Sequence, residues 1–262
     1  MELNFEKYQG AGNDFIMIDQ RDKKYIQVTD TQLINTLCDR RFGIGADGLI
    51  LLERDTKSDF KMVYFNADGR ESSMCGNGGR CIVSFAHALG MVKNATYFDA
   101  IDGIHRAEVT SDGLVSLQMI DVSHIEVKDG NQYILNTGSP HYVVLVEDVP
   151  NDINEAGRKI RYSAPYKQEG INVNFVKVEG YDLHVATYER GVEGETLSCG
   201  TGVTGSALAF AVNNNLWGTH TINIQTKGGK LSVKFDRISD HIFQNIWLIG
   251  PATYVYKGTI TI

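Results

Sequence analysis

Apolar and polar residues alternate along much of this chain in short runs broken by glycine, asparagine and aspartate, the two-residue period of half-buried strands. Residues 3–8 and 15–19 are two such runs, parted by the turn formers Gly10-Ala11-Gly12-Asn13-Asp14. The period lengthens at residues 31–40, where Leu33, Ile34 and Leu37 share one face behind Asp30 or Thr29 as a cap, and a helix is predicted. Strands are predicted again at residues 49–53 and 60–66, the second closing on the turn Ala67-Asp68-Gly69. Ile82, Val83, Phe85, Ala86, Ala88 and Leu89 then leave almost no polar face, so a buried helix follows and Gly90 stops it. Runs at 96–100, 105–110 and 114–119, parted by Asp102-Gly103 and Asp112-Gly113, read as hairpin-linked strands.

The second half repeats this order. Strand runs at 132–136, 142–146, 172–179 and 183–188 lead to the turn Glu189-Arg190-Gly191, and small and apolar residues at 203–212 predict a second buried helix. Further strands fall at 221–225, 230–235 and 246–250, and residues 252–262 read as one more, which crosses back to the first half. A shift of 124 positions lays Tyr64 on Tyr188, Glu71 on Glu195, Ser72 on Thr196, Cys75-Gly76 on Cys199-Gly200 and Gly78 on Gly202. We read two related halves. The expected class is α+β: two pseudo-symmetric domains, each a curved, mostly antiparallel sheet or barrel wrapped on one apolar helix. Their expected extents are 1–120 with the strand 252–262, carrying Cys75, and 121–251, carrying Cys199, with an active site at their interface.

The repeat sets one cysteine before a glycine-rich helix start in each half. A helix N-terminus carries unpaired N–H groups and a partial positive charge, which lowers a thiol's pKa and cradles an anion. Cys75 and Cys199 are therefore the candidate reactive groups. Cys38 and Cys81 fall inside apolar helices, where a free cysteine packs as a small core residue.

Bulk properties narrow the setting. With 42% hydrophobic and 22% charged residues the chain reads as an ordinary soluble globular protein. A net charge of −7 argues against a nucleic-acid or acidic-membrane surface. The N-terminal residues have no leader pattern and no stretch is long and apolar enough to span a bilayer, so a cytoplasmic location is expected. Four cysteines without disulfide-framework density fit a reducing compartment.

Other chemistries fit less well. Residues 43–48 and 200–205 both match G-x-G-x-x-G, but the first leads into a strand, and the second follows a polar loop with no acidic residue about 20 positions on, so no dinucleotide cofactor is expected. No C-x-x-C occurs and no histidine lies close in sequence to Cys75 or Cys81, so no metal is expected. G-x-S-x-G is absent. Two thiols at one site leave redox cycling through a disulfide, or proton transfer in which one thiolate is a base and the other thiol an acid. Pseudo-symmetry favours the second, since inverting a stereocentre removes a proton from one face and delivers it to the other. The backbone N–H groups of Gly76, Asn77, Gly200 and Thr201 would hold the substrate carboxylate and stabilise the carbanion. A thiol-disulfide redox protein and a non-catalytic amino-acid binding module stand as alternatives.

The motifs GAGNDF, RRFGIGADG, FNADG with MCGNGGRC, GSPH, INVNF and ERGVEGETLSCGTG together resemble the diaminopimelate epimerase family from end to end. Asn77 suits that family, whereas the related proline racemases carry histidine there. The resemblance implies cofactor-independent interconversion of LL- and meso-2,6-diaminopimelate in lysine and peptidoglycan precursor synthesis, with a racemase of another amino acid as the alternative. It implies Cys75 and Cys199 as the catalytic pair, His141 and Glu189 tuning their protonation, and Asn13, Asn66, Asn172 and Arg190 gripping the substrate's distal amino and carboxylate ends. It also implies a homodimer. Many members carry glutamine where this chain has Gly48 and asparagine where it has Ser139.

Overall fold

The computed structural model describes residues 1–262 and resolves into two compact units, Met1–Leu117 with Gly250–Ile262, and Gln118–Ile249. The first unit holds strands β1 (Glu2–Gly10), β2 (Asn13–Asp19), β3 (Gly48–Glu53), β4 (Phe60–Asn66), β5 (Ala95–Ala100), β6 (Gly103–Val109) and β7 (Val115–Gln118), with helices α1 (Thr31–Cys38) and α2 (Gly76–Ala88). The C-terminal strand, Thr253–Thr261, lies antiparallel on the outer side of β1. From there β1 to β2, β3 to β4, β5 to β6 and β6 to β7 are antiparallel, whereas β2 to β3 and β4 to β5 are parallel. Each parallel join is bridged by a helix, α1 for the first and α2 for the second, the crossover such a pair requires.

The two helices cover opposite faces. Ile34, Leu37 and Cys38 of α1 pack with Ile16, Ile18, Leu49, Leu51, Val63 and Phe65. On the other face Gly78 of α2 comes so close that a Cβ there would lie 3.1 Å from Ile50 and 3.5 Å from Phe15. Burial on both faces is why residues 15–18 and 48–52 are apolar without interruption.

The second unit contains β8 (Ile125–Lys128), β9 (Gln132–Asn136), β10 (Pro140–Val146), α3 (Ile153–Arg161), β11 (Asn172–Glu179), β12 (Asp182–Glu189), β13 (Gly194–Thr196), α4 (Gly200–Asn213), β14 (Gly218–Thr226), β15 (Gly229–Ser239) and β16 (Ile242–Gly250). Its pairings follow the same plan: β8 to β9 and β9 to β10 antiparallel, β10 to β11 parallel across α3, β11 to β12 antiparallel, β12 to β14 parallel across α4, then β15 and β16 antiparallel. Here β8 occupies the place that the C-terminal strand takes in the first unit. Helix α3 covers Val173, Phe175, Ala186 and Tyr188. Helix α4 is apolar all round, with Val203, Leu208 and Phe210 fully or almost fully buried at about 1.5–3 kcal/mol each.

The α+β, mostly antiparallel class agrees with the sequence reading, but neither unit's sheet closes on itself as a barrel. Three elements go beyond that reading: β8, β13 and α3. Helix α3 is predominantly polar, and its start is fixed by Asp152, whose side chain accepts from the Glu155 N–H at 2.8 Å. No helix is long and apolar enough to cross a membrane.

Candidate active site

In each unit the strand-to-helix turn delivers one cysteine to a helix N-cap. Cys75 precedes α2 with extended backbone, φ −97° and ψ 131°, and its carbonyl accepts from Gly79 N at 2.7 Å. Cys199 precedes α4 with φ −114° and ψ 110°, and its carbonyl accepts from Val203 N at 2.9 Å. Neither side chain caps its helix, and Gly76, Asn77, Gly200 and Thr201 form the first turns. Cys75 is half-buried and Cys199 is buried.

The Cys75 sulfhydryl donates to Asn13 Oδ1 at 3.6 Å. Two charged groups fix that amide. Asn13 Nδ2 donates to the Asp47 carboxylate at 2.7 Å, so Oδ1 must face the other way, where Asn77 Nδ2 also donates to it at 3.3 Å. Asn77 is oriented in turn by Arg80, whose Nη2 donates to its Oδ1 at 2.9 Å. Arg80 is fully buried, its Nε has no partner, and burial pulls its pKa down. On the far side Arg40 binds Asp14 through both Nη atoms and also Asp47, and Lys7 binds Asp14 at 2.8 Å. Burial opposes ionisation of Asp14, but Arg40 and Lys7 outweigh it and hold the carboxyl down at about 2.

Around Cys199 the partners run through donors. Asn174 Nδ2 donates to the Tyr142 carbonyl at 3.3 Å and its Oδ1 accepts from Thr187 at 2.9 Å, so Nδ2 also donates to His141 Nδ1 at 3.0 Å. His141 Nδ1 is thus the acceptor and Nε2 carries the hydrogen, donating to Thr201 Oγ1 at 2.9 Å. The Thr201 hydroxyl lies 3.5 Å from Cys199 Sγ. Burial first, and Arg190 second, drive His141 down to about 3, so the imidazole is neutral. Gly202 makes this packing possible, because a Cβ there would fall 2.3 Å from Asn174 Oδ1.

A second polar group sits at the ends of β10, β11 and β12. Asn172 Nδ2 donates to Ser139 Oγ at 2.9 Å, Asn172 Oδ1 accepts from Arg190 N at 2.8 Å, and Arg190 Nη2 reaches Ser139 Oγ at 3.5 Å. The Ser139 hydroxyl thus braces both an amide and an exposed guanidinium. Glu189 accepts from Thr196 Oγ1 at 2.9 Å. In the first unit Asn66, at the end of β4, accepts through Oδ1 from the Tyr64 hydroxyl at 2.8 Å.

The structure thus brings Asn13, Cys75, Gly76 and Asn77 together in one unit, and His141, Cys199, Gly200 and Thr201 together in the other, with Asn172 grouped with Arg190. Sequence reasoning did not single out Arg80, Asp47, Asn174 or the Thr201 side chain. Arg80 carried a signal, being a lone charge one turn into an apolar helix. Cys38 and Cys81 are buried, and desolvation pushes both thiols up to about 12.

Known structures share this architecture. A phenazine biosynthesis protein of the PhzF family from Bacillus anthracis superposes with a TM-score of 0.78 at 15% identity, covering 100% of both chains. A hydroxyproline epimerase from Agrobacterium vitis superposes at 0.69 and 12% identity, covering 99% of this chain and 92% of that one. The fold is the one that this PhzF-family protein and this epimerase share. Within it the chain belongs to the diaminopimelate epimerase family, whose model matches residues 5–125 and 133–255. The diaminopimelate epimerase of Flavobacterium psychrophilum is 52% identical over 260 residues, spanning 98% of this chain and 100% of that protein.

Proposed function

We propose that this protein interconverts LL- and meso-diaminopimelate by proton transfer at the α-carbon, without a cofactor. One cysteine, as thiolate, removes the α-proton; the electron pair passes into the substrate carboxylate as an enediolate. The other cysteine, as thiol, returns a proton to the opposite face. Cys75 and Cys199 exchange acid and base roles with the direction of reaction. The first-turn N–H groups of α2 and α4, at Gly76, Asn77, Gly200 and Thr201, stabilise the developing charge. Asn13, Asn66, Asn172 and Arg190 hold the distal amino and carboxylate groups, the guanidinium forming a fork on carboxylate oxygens. His141 and Glu189 set the protonation of the thiols, His141 as a neutral donor acting through Thr201.

The observation carrying this reading is the recurrence, in two topologically equivalent units, of a cysteine at the N-cap of a buried helix. The reaction requires both sulfurs to address one carbon from opposite faces. The same reading puts the enzyme in the supply of lysine and peptidoglycan precursors, working as a homodimer in the cytoplasm, with the two units as separate domains.

The test is incubation with LL-diaminopimelate in D2O without added cofactor, following deuterium at the α-carbon and appearance of the meso form. Both are expected for the native protein, and no meso form for Cys75→Ala or Cys199→Ala. Turnover near the native level in either variant overturns the assignment.

A further inference from the structure

Gly48 and Asn66 are direct partners across β3 and β4, and Tyr64 pairs with Ile50 one step along the same face. A Cβ on residue 48 would stand 2.6 Å from Tyr64 Cε2 and 2.5 Å from the Phe65 carbonyl. The missing side chain is therefore what lets the Tyr64 ring lean over the strand end. The ring is held there edge-on to Phe15, with centroids 5.8 Å apart at 76°, and is 8% exposed. From this seat its hydroxyl donates to Asn66 Oδ1 at 2.8 Å. A carboxamide has one acceptor end and one donor end. With Oδ1 engaged by the phenol, the exposed Asn66 turns its Nδ2 hydrogens to a ligand, the polarity that a carboxylate oxygen needs.

We propose that Tyr64 is a positioning residue for substrate binding: seated in the space left by Gly48, it fixes the Asn66 amide as a donor toward a substrate carboxylate. The inference rests on the reading of Asn66 as a substrate contact. It gives Gly48 a structural meaning: at this strand end the polar group comes from the neighbouring strand instead of from residue 48 itself.

The test is steady-state kinetics with LL-diaminopimelate on Tyr64→Phe, Asn66→Ala and the double variant. Phenylalanine keeps the ring on Phe15 and removes only the hydroxyl, and a melting curve checks that the fold is retained. One orienting hydrogen bond is worth about a 3- to 10-fold rise in KM, with kcat within about twofold of native. Because Tyr64 acts through Asn66, Tyr64→Phe should add nothing once Asn66 is alanine. An unchanged KM in Tyr64→Phe, or effects that multiply in the double variant, would overturn the role. Failure of the underlying reading is separately visible, since Asn66→Ala would then leave KM at the native value.

Discussion

His141 Nε2 donates to the Thr201 hydroxyl at 2.9 Å, and that donation leaves the hydroxyl hydrogen free to turn to Cys199. The polarity is set three residues back, by an Asn174 amide that the Tyr142 carbonyl locks in place. Cys75 meets the opposite polarity, because its sulfur faces the acceptor Oδ1 of Asn13. A donor on sulfur favours thiolate and an acceptor favours thiol.

Thr201→Val removes that donor while keeping the side chain's shape. A hydrogen bond to a charged group is worth about 1.5–3 kcal/mol, so turnover should fall by about 10- to 100-fold, and Thr201→Ser should retain most of it. The alkylation rate of Cys199 as a function of pH is the direct measurement. A profile in Thr201→Val that coincides with the native one would remove the relay.

Cys38 and Cys81 lie buried with thiols raised to about 12, so both should resist iodoacetamide at pH 8 until the protein unfolds. Cys38→Ala and Cys81→Ala should keep most of the activity. Peptide mapping after brief alkylation should find label on Cys75 and Cys199 alone; early label on Cys81 would contradict the desolvation argument.

Burial of neutral His141 makes stability depend on pH. In the unfolded chain the imidazole takes a proton near pH 6.5, whereas in the fold burial and Arg190 keep it neutral down to about 3, despite the Asn174 contact. The unfolded state thus binds more protons below 6.5. Stability is full above that value and falls by up to about 1.4 kcal/mol per pH unit on acidification. The lowered carboxyls, Asp14 and Glu193 among them, add their own loss only from about pH 5 downward, so pH 6.5 to 5 isolates the histidine. Urea midpoints should decline in that window for the native protein and flatten in His141→Gln; parallel curves would refute the assignment.

Arg80 is a buried cation with no carboxylate partner, bonded only to neutral oxygens of Gly76 and Asn77. Arg80→Met relieves its desolvation as it deletes those bonds, so stability should stay within about 1 kcal/mol of native. Activity should still drop at least about tenfold, because Asn77 loses the donor that orients it and, through it, Asn13. Native turnover in this variant would show that the amide chain needs no anchor.

Much of the architecture was legible because sheets buried on one or two faces write their period directly into the chain. Residues 60–66, 132–136 and 172–179 were bounded as observed. Helix α3 was not, because its nine residues carry four basic and acidic side chains and bury only Ile153 and Gly157, so its place depends on the sheet beneath it. Strand β13 is Gly194-Glu195-Thr196, without an apolar residue, and exists through pairing with β12. At the site, motifs named residues but not atoms. Nothing local says that Asn13 turns Oδ1 to a sulfur 62 residues away, since that follows from Asp47 and Arg80, brought in by other elements.

The first unit is assembled from chain on either side of the second. Until residues 253–261 emerge behind the whole of 118–249, β1 has no neighbour on its outer side. A growing polypeptide therefore exposes a bare, sticky margin for as long as the insert takes to be made. Synthesis of this molecule passes through a window in which the part destined to hold Cys75 is prone to pairing with the wrong strand.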